Sequence, residues 1–441
     1  MSKIENHAEN RDENRENFTP QPKRWYYGWT IVIAAALLTM FTVGMRMSIG
    51  PFVIPMSEGL GMSRSTLSAV IAFGMLIYGF GMPVAGFCVN RYGTRTTLIL
   101  GAIMVSISLI LTVYTHNIWI FALSYGGLLS FGLAFTSPVA FTQLISSWFI
   151  AKRTMALLFL STGSMAGIAI LTPLFSQTIQ SFSWESTLIG YAILFTIATL
   201  FVAFAIIRGT PPQYGDLITE SEIKAHQAKI AARNKVMKGE SYRLREVFST
   251  QPFWLLVIGI FACGFSMSLL GTHAVPMLID HGFSRDVSAF GVSLIGLVAI
   301  FSTVMLGRIS THVDHKYMLV AIYAVRGVAF FLLVMVLAPW QLYTVAIVGG
   351  LVWAGNMGIS SGMLADIYGV KLVGILYGLA FIGHQIGGTL SSWLGGWAYE
   401  TYGSHYITFW LAGFFLIVAA IASMMLPKKA QYESSIAKIA R

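Results

Sequence analysis

The chain has 441 residues, of which 56% are hydrophobic and only 10% charged, with a formal net charge of +10. A soluble globular chain carries roughly 25% charged residues, so this composition with long uncharged runs excludes a soluble fold and leaves a polytopic membrane protein. The basic excess does not indicate nucleic acid, because the basic residues fall in turns and tails, and the two cysteines, Cys88 and Cys263, lie in apolar segments without disulfide or metal spacing.

Residues 1–24 are polar and read as a disordered tail without a cleavable signal, so the first span serves as an uncleaved targeting signal. Twelve apolar runs follow, at 27–53, 64–88, 96–115, 118–147, 153–178, 185–207, 252–278, 286–309, 317–337, 340–365, 371–398 and 405–426. Each is near the ~20 residues that cross about 30 Å of hydrocarbon. Gly44, Gly50, Pro51, Pro55, Pro138, Pro173 and Pro276 fall inside runs, where they mark kinks or cavity linings. The polar stretch 208–248 separates 25–207 from 249–426, six spans each, and 427–441 forms a basic tail. Between Glu220 and Lys238, Ile223, Ile230 and Met237 recur at helical spacing, with Gln227 thinning the stripe. That stretch suits a regulatory segment or a plain linker whose basic face meets anionic lipid.

Lysine and arginine placement sets orientation. The N-terminal tail, the even-to-odd turns (Arg91, Arg95, Lys152, Arg153, Arg308, Lys316, Lys371), the 208–248 stretch and the C-terminal tail are basic, whereas the opposite side holds only Arg64 and Arg285. Both termini are therefore expected in the cytoplasm.

Between the second and third runs stands G-F-C-V-N-R-Y-G-T-R, Gly86 to Arg95. Gly93 suits a tight turn, and Arg91 and Arg95 belong at a membrane surface because neither can lie in hydrocarbon. A partial echo follows the eighth run, retaining Gly307 and Arg308. This pattern resembles the signature loop G-x-x-x-D-R-x-G-x-R of the major facilitator superfamily. Gly86, Arg91, Gly93 and Arg95 match it, Asn90 replaces the usual aspartate, and Thr311 stands at that place in the second copy. The resemblance covers all twelve spans. It implies an all-α membrane protein of two pseudo-symmetric six-helix bundles, working as a monomer by alternating access about a midplane site. It also implies that Gly86, Asn90, Arg91, Gly93, Arg95, Gly307 and Arg308 form conformational latches, weakened where an amide replaces the acid.

Ionisable residues inside membrane spans are costly and default to functional candidates. Arg46, in V-G-M-R-M-S, is either a fixed cation for an anionic substrate or a residue snorkelling to the outer interface. His273 in span seven is a substrate or proton ligand, or a packing histidine on a backbone carbonyl. His384 in span eleven, followed by Gln385 and flanked by Gly383, Gly387 and Gly388, is a cavity residue or a helix contact. Gln143 and Asn356 could line the cavity or bond neighbouring helices. Arg326, in span nine, reads as structural pairing or snorkelling toward lipid, and Asp366 lies at the tenth-to-eleventh turn.

A narrower resemblance rests on R-W-Y-Y-G-W (24–29), G-M-R-M-S-I-G-P-F (44–52), S-W-F-I-A-K-R-T-M-A (147–156) and T-H-A-V-P-M-L-I-D-H-G-F (272–283). These are similar to the monocarboxylate-porter and oxalate/formate-antiporter branch, which carries small organic anions, with a proton or by exchange. In the oxalate/formate exchangers a lysine follows Y-G-L-x-x-x-x in span eleven; Tyr377-Gly378-Leu379 puts His384 there. Thr303 stands where the branch has an arginine in span eight. Loss of that cation disfavours dicarboxylate exchange and favours a monoanion held by Arg46 with His273 or His384.

No G-x-x-x-x-G-K-[ST] loop, H-E-x-x-H motif, paired-cysteine spacing or nucleophile–base set occurs, so no enzyme, metal or cofactor is expected. The expectation is a multi-pass protein of the plasma or inner membrane that moves a small organic anion, a monocarboxylate, with protons. A drug or metabolite efflux antiporter is the alternative, disfavoured because spans one to six hold no deep acid. A membrane receptor is disfavoured by the two-bundle repeat.

Overall fold

The computed structural model describes residues 26–115, 117–150, 152–207, 216, 244–310, 312–368 and 373–427. The two tails, the Glu220–Lys238 stripe, Thr311 and Lys371 lie outside the described residues. Among the described residues every regular element is helical, because a helix satisfies its own backbone polar groups in hydrocarbon.

Helix α1 is Tyr27–Met47, continued past a break by Gly50–Gly59. Helices α2 and α3 are the two parts of Arg64–Tyr114 on either side of Gly93. The first bundle is completed by α4 (Ile118–Trp148), α5 (Arg153–Ser181) and α6 (Trp184–Ile206). The second comprises α7 (Gln251–Asp280), α8 (Arg285–Ile309), α9 (His315–Val334), α10 (Pro339–Tyr368), α11 (Val373–Tyr402) and α12 (Tyr406–Met424). These are the twelve expected spans, with shifted ends: the first reaches Gly59. Among the described residues ten helices qualify as membrane spans by length and composition, with Arg64–Tyr114 counting once and Val373–Tyr402 not among them. That 51-residue segment, at about 1.5 Å per residue, exceeds twice the ~30 Å hydrocarbon thickness. It reverses at Gly93, whose φ of 82° only glycine adopts readily. The two arms then flank α4, Gly74 against Gly126 and Gly101 against Gly132.

Several helices are interrupted. α1 breaks at Ser48, ahead of Pro51. α4 widens to a π-helix over Ala122–Leu129 and breaks at Thr136–Ser137, ahead of Pro138. α10 breaks between Leu351 and Gly355. Each break leaves backbone groups unpaired by the helix, and side chains meet some of them: Thr42 Oγ1 donates to Thr136 O at 3.1 Å.

The same helix pair is the tightest in each bundle, and a G-x-x-x-G spacing makes it so. On α5, a Cβ at Gly163 would lie 2.2 Å from Ala36 O, and one at Gly167 2.5 Å from Met40 O. On α11, a Cβ at Gly387 would lie 2.3 Å from Phe261 O, while Gly264 of α7 faces His384 O at 2.0 Å. Between bundles, α1 meets α7 at Gly50 and Gly271, α2 meets α11 at Ser68 and Gly396, and α5 meets α8 at Met165 and Gly296. One buried apolar cluster centred on α7 fills the second bundle and two fill the first.

Gly163→Val should therefore destabilise the fold by at least about 2 kcal/mol, since backbone stands in the way. Gly190→Ala, where a Cβ meets nothing within 4 Å, should be neutral or stabilising by up to about 1 kcal/mol. Thermal unfolding in detergent reads both.

Candidate functional site

Arg46 sits on the last turn of α1 before its break, half-buried. Its guanidinium carbon lies 3.6 Å from the centre of the Tyr78 ring of α2. No carboxylate among the described residues pairs with it. A ring face offsets a cation by about 2 kcal/mol when desolvated and satisfies none of the guanidinium N–H donors. Arg46 borders a cavity of about 40 Å³ with Met45, Ile49, Met75, Tyr125 and Ser130. That volume suits water, whose share of the liquid is about 30 Å³, and not an organic anion. Side chains must move before one enters.

The second bundle reaches the same turn of α2. Gln385 Nε2 donates to Met75 O at 3.1 Å, and its side chain lies 3.0 Å from the Cβ position of Gly79. Gln385 Oε1 accepts from His384 Nδ1 at 3.2 Å, which places the proton of the neutral ring on Nδ1. The His384 ring stacks on Phe381 at 4.8 Å, and its Nε2 is buried without a partner. Arg46 and Gln385 thus meet the Met75–Gly79 turn, Gln385 from the second bundle, and His384 reaches it only through its bond to Gln385. Asn356 stands deeper in the second bundle, where Tyr323 Oη donates to its Oδ1 at 2.6 Å and Ser360 Oγ at 3.2 Å. Arg326 is fully buried and caps the α10 break, donating to Val352 O at 3.0 Å and to Trp353 O. It pairs within the bundle and does not reach lipid. Gln143 is exposed on α4.

At the Arg64 end the bundles are closed by polar bonds. Arg64 Nη1 of α2 lies 2.7 Å from Asp280 Oδ2 of α7, and His405 Nε2 lies 3.5 Å from the same oxygen. Glu400 Oε1 accepts from Ser65 N at 2.9 Å, and Gln180 Nε2 donates to Asp286 Oδ1 at 3.1 Å. The Arg64 guanidinium also covers the Tyr399 ring. His281, next to Asp280, is held below its ordinary value by burial and by the His405 charge. His273 belongs to this closure. Its Nε2 must carry the proton, because it donates to Ser392 O at 2.8 Å, and its ring lies 5.2 Å from that of His405.

At the opposite end, Gly93 makes the α2–α3 reversal. Arg95 Nε donates to Ala203 O at 2.8 Å and Nη2 to Ile207 O at 2.7 Å, so Arg95 caps α6 within its own bundle, where the helix dipole favours a cation. Arg91 lies over the Tyr92 ring at 5.7 Å, and Gly86 and Asn90 sit at the exposed end of α2. Gly307 approaches Leu158 of α5 from the second bundle, with Arg308 beside it. From the linker, Asp216 accepts from Ile150 N at 2.6 Å and Lys152 N at 2.8 Å. Asp366 pairs with His315 at 2.9 Å.

The Major Facilitator Superfamily model matches residues 35–359 and 274–439. The chain belongs to the major facilitator superfamily. An uncharacterized MFS-type transporter, YcxA, of Bacillus subtilis is 26% identical over 81% of this chain and 85% of its own. Monocarboxylate transporter 13 of Bos taurus is 21% identical over 93% of this chain and 92% of its own. The oxalate:formate antiporter of Oxalobacter formigenes is 21% identical over 94% of each. Among solved structures, a D-xylose-proton symporter aligns at a TM-score of 0.68 with 15% identity, covering 91% of this chain and 99% of its own.

In this superfamily transporter the closure at the Arg64 end was hidden from sequence reasoning, since its partners lie 216 residues apart. The presence of Arg64 as one of two basic residues on its side was the available signal. Asp280→Asn removes the charge that both Arg64 and His405 face, so this end should open more often. A cysteine replacing the buried Ser176, alkylated by a water-soluble maleimide, should then react about tenfold faster than with Asp280 intact.

Proposed function

We propose that this transporter moves a small organic anion, a monocarboxylate, together with a proton, by alternating access between its two bundles. Arg46 carries the reading. A cation with N–H donors left open beyond Tyr78 and no carboxylate partner, set among apolar side chains of the first bundle beside Met75, where Gln385 of the second bundle bonds, calls for an anion from outside the chain. The carboxylate would take the forked donors, and its short tail would lie against Met45, Ile49 and Met75. Gln385 is the contact offered by the second bundle, with His384 bonded behind it. His273 is assigned to the closure, and Gln143 and Asn356 to the walls of the two bundles. The relatives named for monocarboxylate and for oxalate and formate transport support the substrate class.

In this reading residues 25–207 and 249–426 are the moving bodies, and both termini face the cytoplasm of a plasma or inner membrane. The Arg64 end then faces outward and is shut. The 86–95 loop and its Gly307–Arg308 counterpart serve as latches at the inner face, with Arg95 anchoring α6 so that its bundle moves as one piece.

Ligand-induced thermal stabilisation with a panel of small carboxylates, neutral sugars and cationic drugs tests the class. A carboxylate should stabilise the wild type, and Arg46→Ala should weaken that binding by at least about thirtyfold, roughly 2 kcal/mol. Arg46→Lys should recover part of it. Stabilisation only by cationic compounds, indifferent to Arg46, would overturn the anion site and assign drug efflux. In proteoliposomes, uptake should fall as external pH rises; uptake indifferent to pH would exclude proton coupling.

A further inference from the structure

The second bundle buries its own cation, and the group facing that cation is a thiol. Arg326 is fully buried. Its Nη2 donates to the carbonyls of Val352 and Trp353, its guanidinium stands 4.5 Å from the centre of the Trp353 ring, and its Nη1 donates to Cys263 Sγ at 3.3 Å. Carbonyl dipoles and an indole face lower the cost of the charge without cancelling it. No carboxylate among the described residues pairs with Arg326. Cys263, itself fully buried, is the group in contact that becomes negative by losing a proton.

The surroundings of the sulfur suit both of its forms. As a thiol, Cys263 donates to Met267 Sδ at 3.6 Å while its lone pair accepts from Arg326. As a thiolate, it keeps the Arg326 bond and is flanked by Asn356 and His384. Asn356 Nδ2 is a buried donor without a partner, and His384 Nε2 a buried acceptor without one. An orphaned buried polar group is costly, and these two gain partners if the thiol ionises. Asn356 Nδ2 stabilises the anion, and His384 Nε2 takes the proton. The titratable groups around the sulfur are Arg326 and Tyr323 from α9 and His384 and Tyr377 from α11.

We propose that Cys263 is the proton-binding site of the transport cycle, with Arg326 as its counter-ion and His384 as the group through which the proton passes. This rests on the proton-coupled reading above. On release, the S–H bond breaks and an N–H forms on His384 Nε2, leaving a thiolate beside Arg326. The imidazolium so formed keeps its Nδ1–H on Gln385, whose amide bonds Met75 of the first bundle. The proton site is therefore joined to the Arg46 site through Gln385, which bonds His384 on one side and the carbonyl of Met75, a wall of the Arg46 cavity, on the other.

Two measurements test this separately from the substrate reading. Cys88→Ser leaves Cys263 as the sole thiol. In that purified protein the infrared S–H stretching band should disappear reversibly as pH is raised to about 9 and return on acidification. A band that ignores pH would overturn the site, whether or not any substrate is known. In proteoliposomes, Cys263→Ser should lower pH-gradient-driven carboxylate accumulation at least about tenfold while one-for-one carboxylate exchange stays within about twofold. A serine variant that accumulates carboxylate as the wild type does would also overturn it. If the wild type moves no carboxylate at all, the transport reading fails and the infrared titration still decides the thiol.

Discussion

A guanidinium inside hydrocarbon has to be compensated, and the ways in which this chain compensates its arginines organise the molecule. Three arginines are met in three ways. Arg64, at a bundle end, finds a carboxylate across the interface, Asp280. Arg326, deep in one bundle, finds carbonyls freed by a broken helix and a thiol. Arg46, inside the first bundle, finds the ring and hydroxyl of Tyr78 and no carboxylate. Compensation is strongest where the bundles are held together and weakest at Arg46, the proposed anion site. A carboxylate beside Arg46 would fill the proposed anion site permanently; Tyr78 shields the cation and leaves most of its N–H donors open.

The helix breaks follow the same logic. An intact α10 would have offered Arg326 no carbonyls, because each would already be bonded within the helix. The break between Leu351 and Gly355 frees Val352 and Trp353 for it. The α1 break falls directly after Arg46 and lets Ser48 accept from Thr172 of α5 at 2.8 Å. Irregular backbone thus stands beside the cations that the fold must bury.

Much of this was legible in the sequence and part was not. Twelve apolar runs gave the spans because length and composition decide what crosses hydrocarbon. Gly93 and the basic turns gave the reversal and the surface. Arg46 and His384 stood out because ionisable residues in apolar runs are few. The sequence could not show that Tyr78 covers Arg46, because an aromatic residue in a membrane span is ordinary. It left Arg326 open between structural pairing and snorkelling toward lipid and could not pair it with Cys263, which lies on another helix 63 residues earlier. It left His273 open between a ligand and a packing residue, and the Ser392 carbonyl and the His405 ring show what holds it. Partners distant in sequence leave no local pattern.

The meeting of Gly50 and Gly271 bears on speed. There α1 and α7 touch through main chain, a Cβ at Gly50 lying 3.2 Å from Gly271 O and one at Gly271 2.9 Å from Met47 O. A seam made largely of main chain has few side chains to sort when it parts and rejoins. Its halves need little rotamer search to find each other again, and little conformational freedom of long side chains is lost each time they do. If the bundles part there as proposed, reclosure would be limited by the drift of whole helices through lipid, and the polar bonds at the Arg64 end would set how long the seam stays shut.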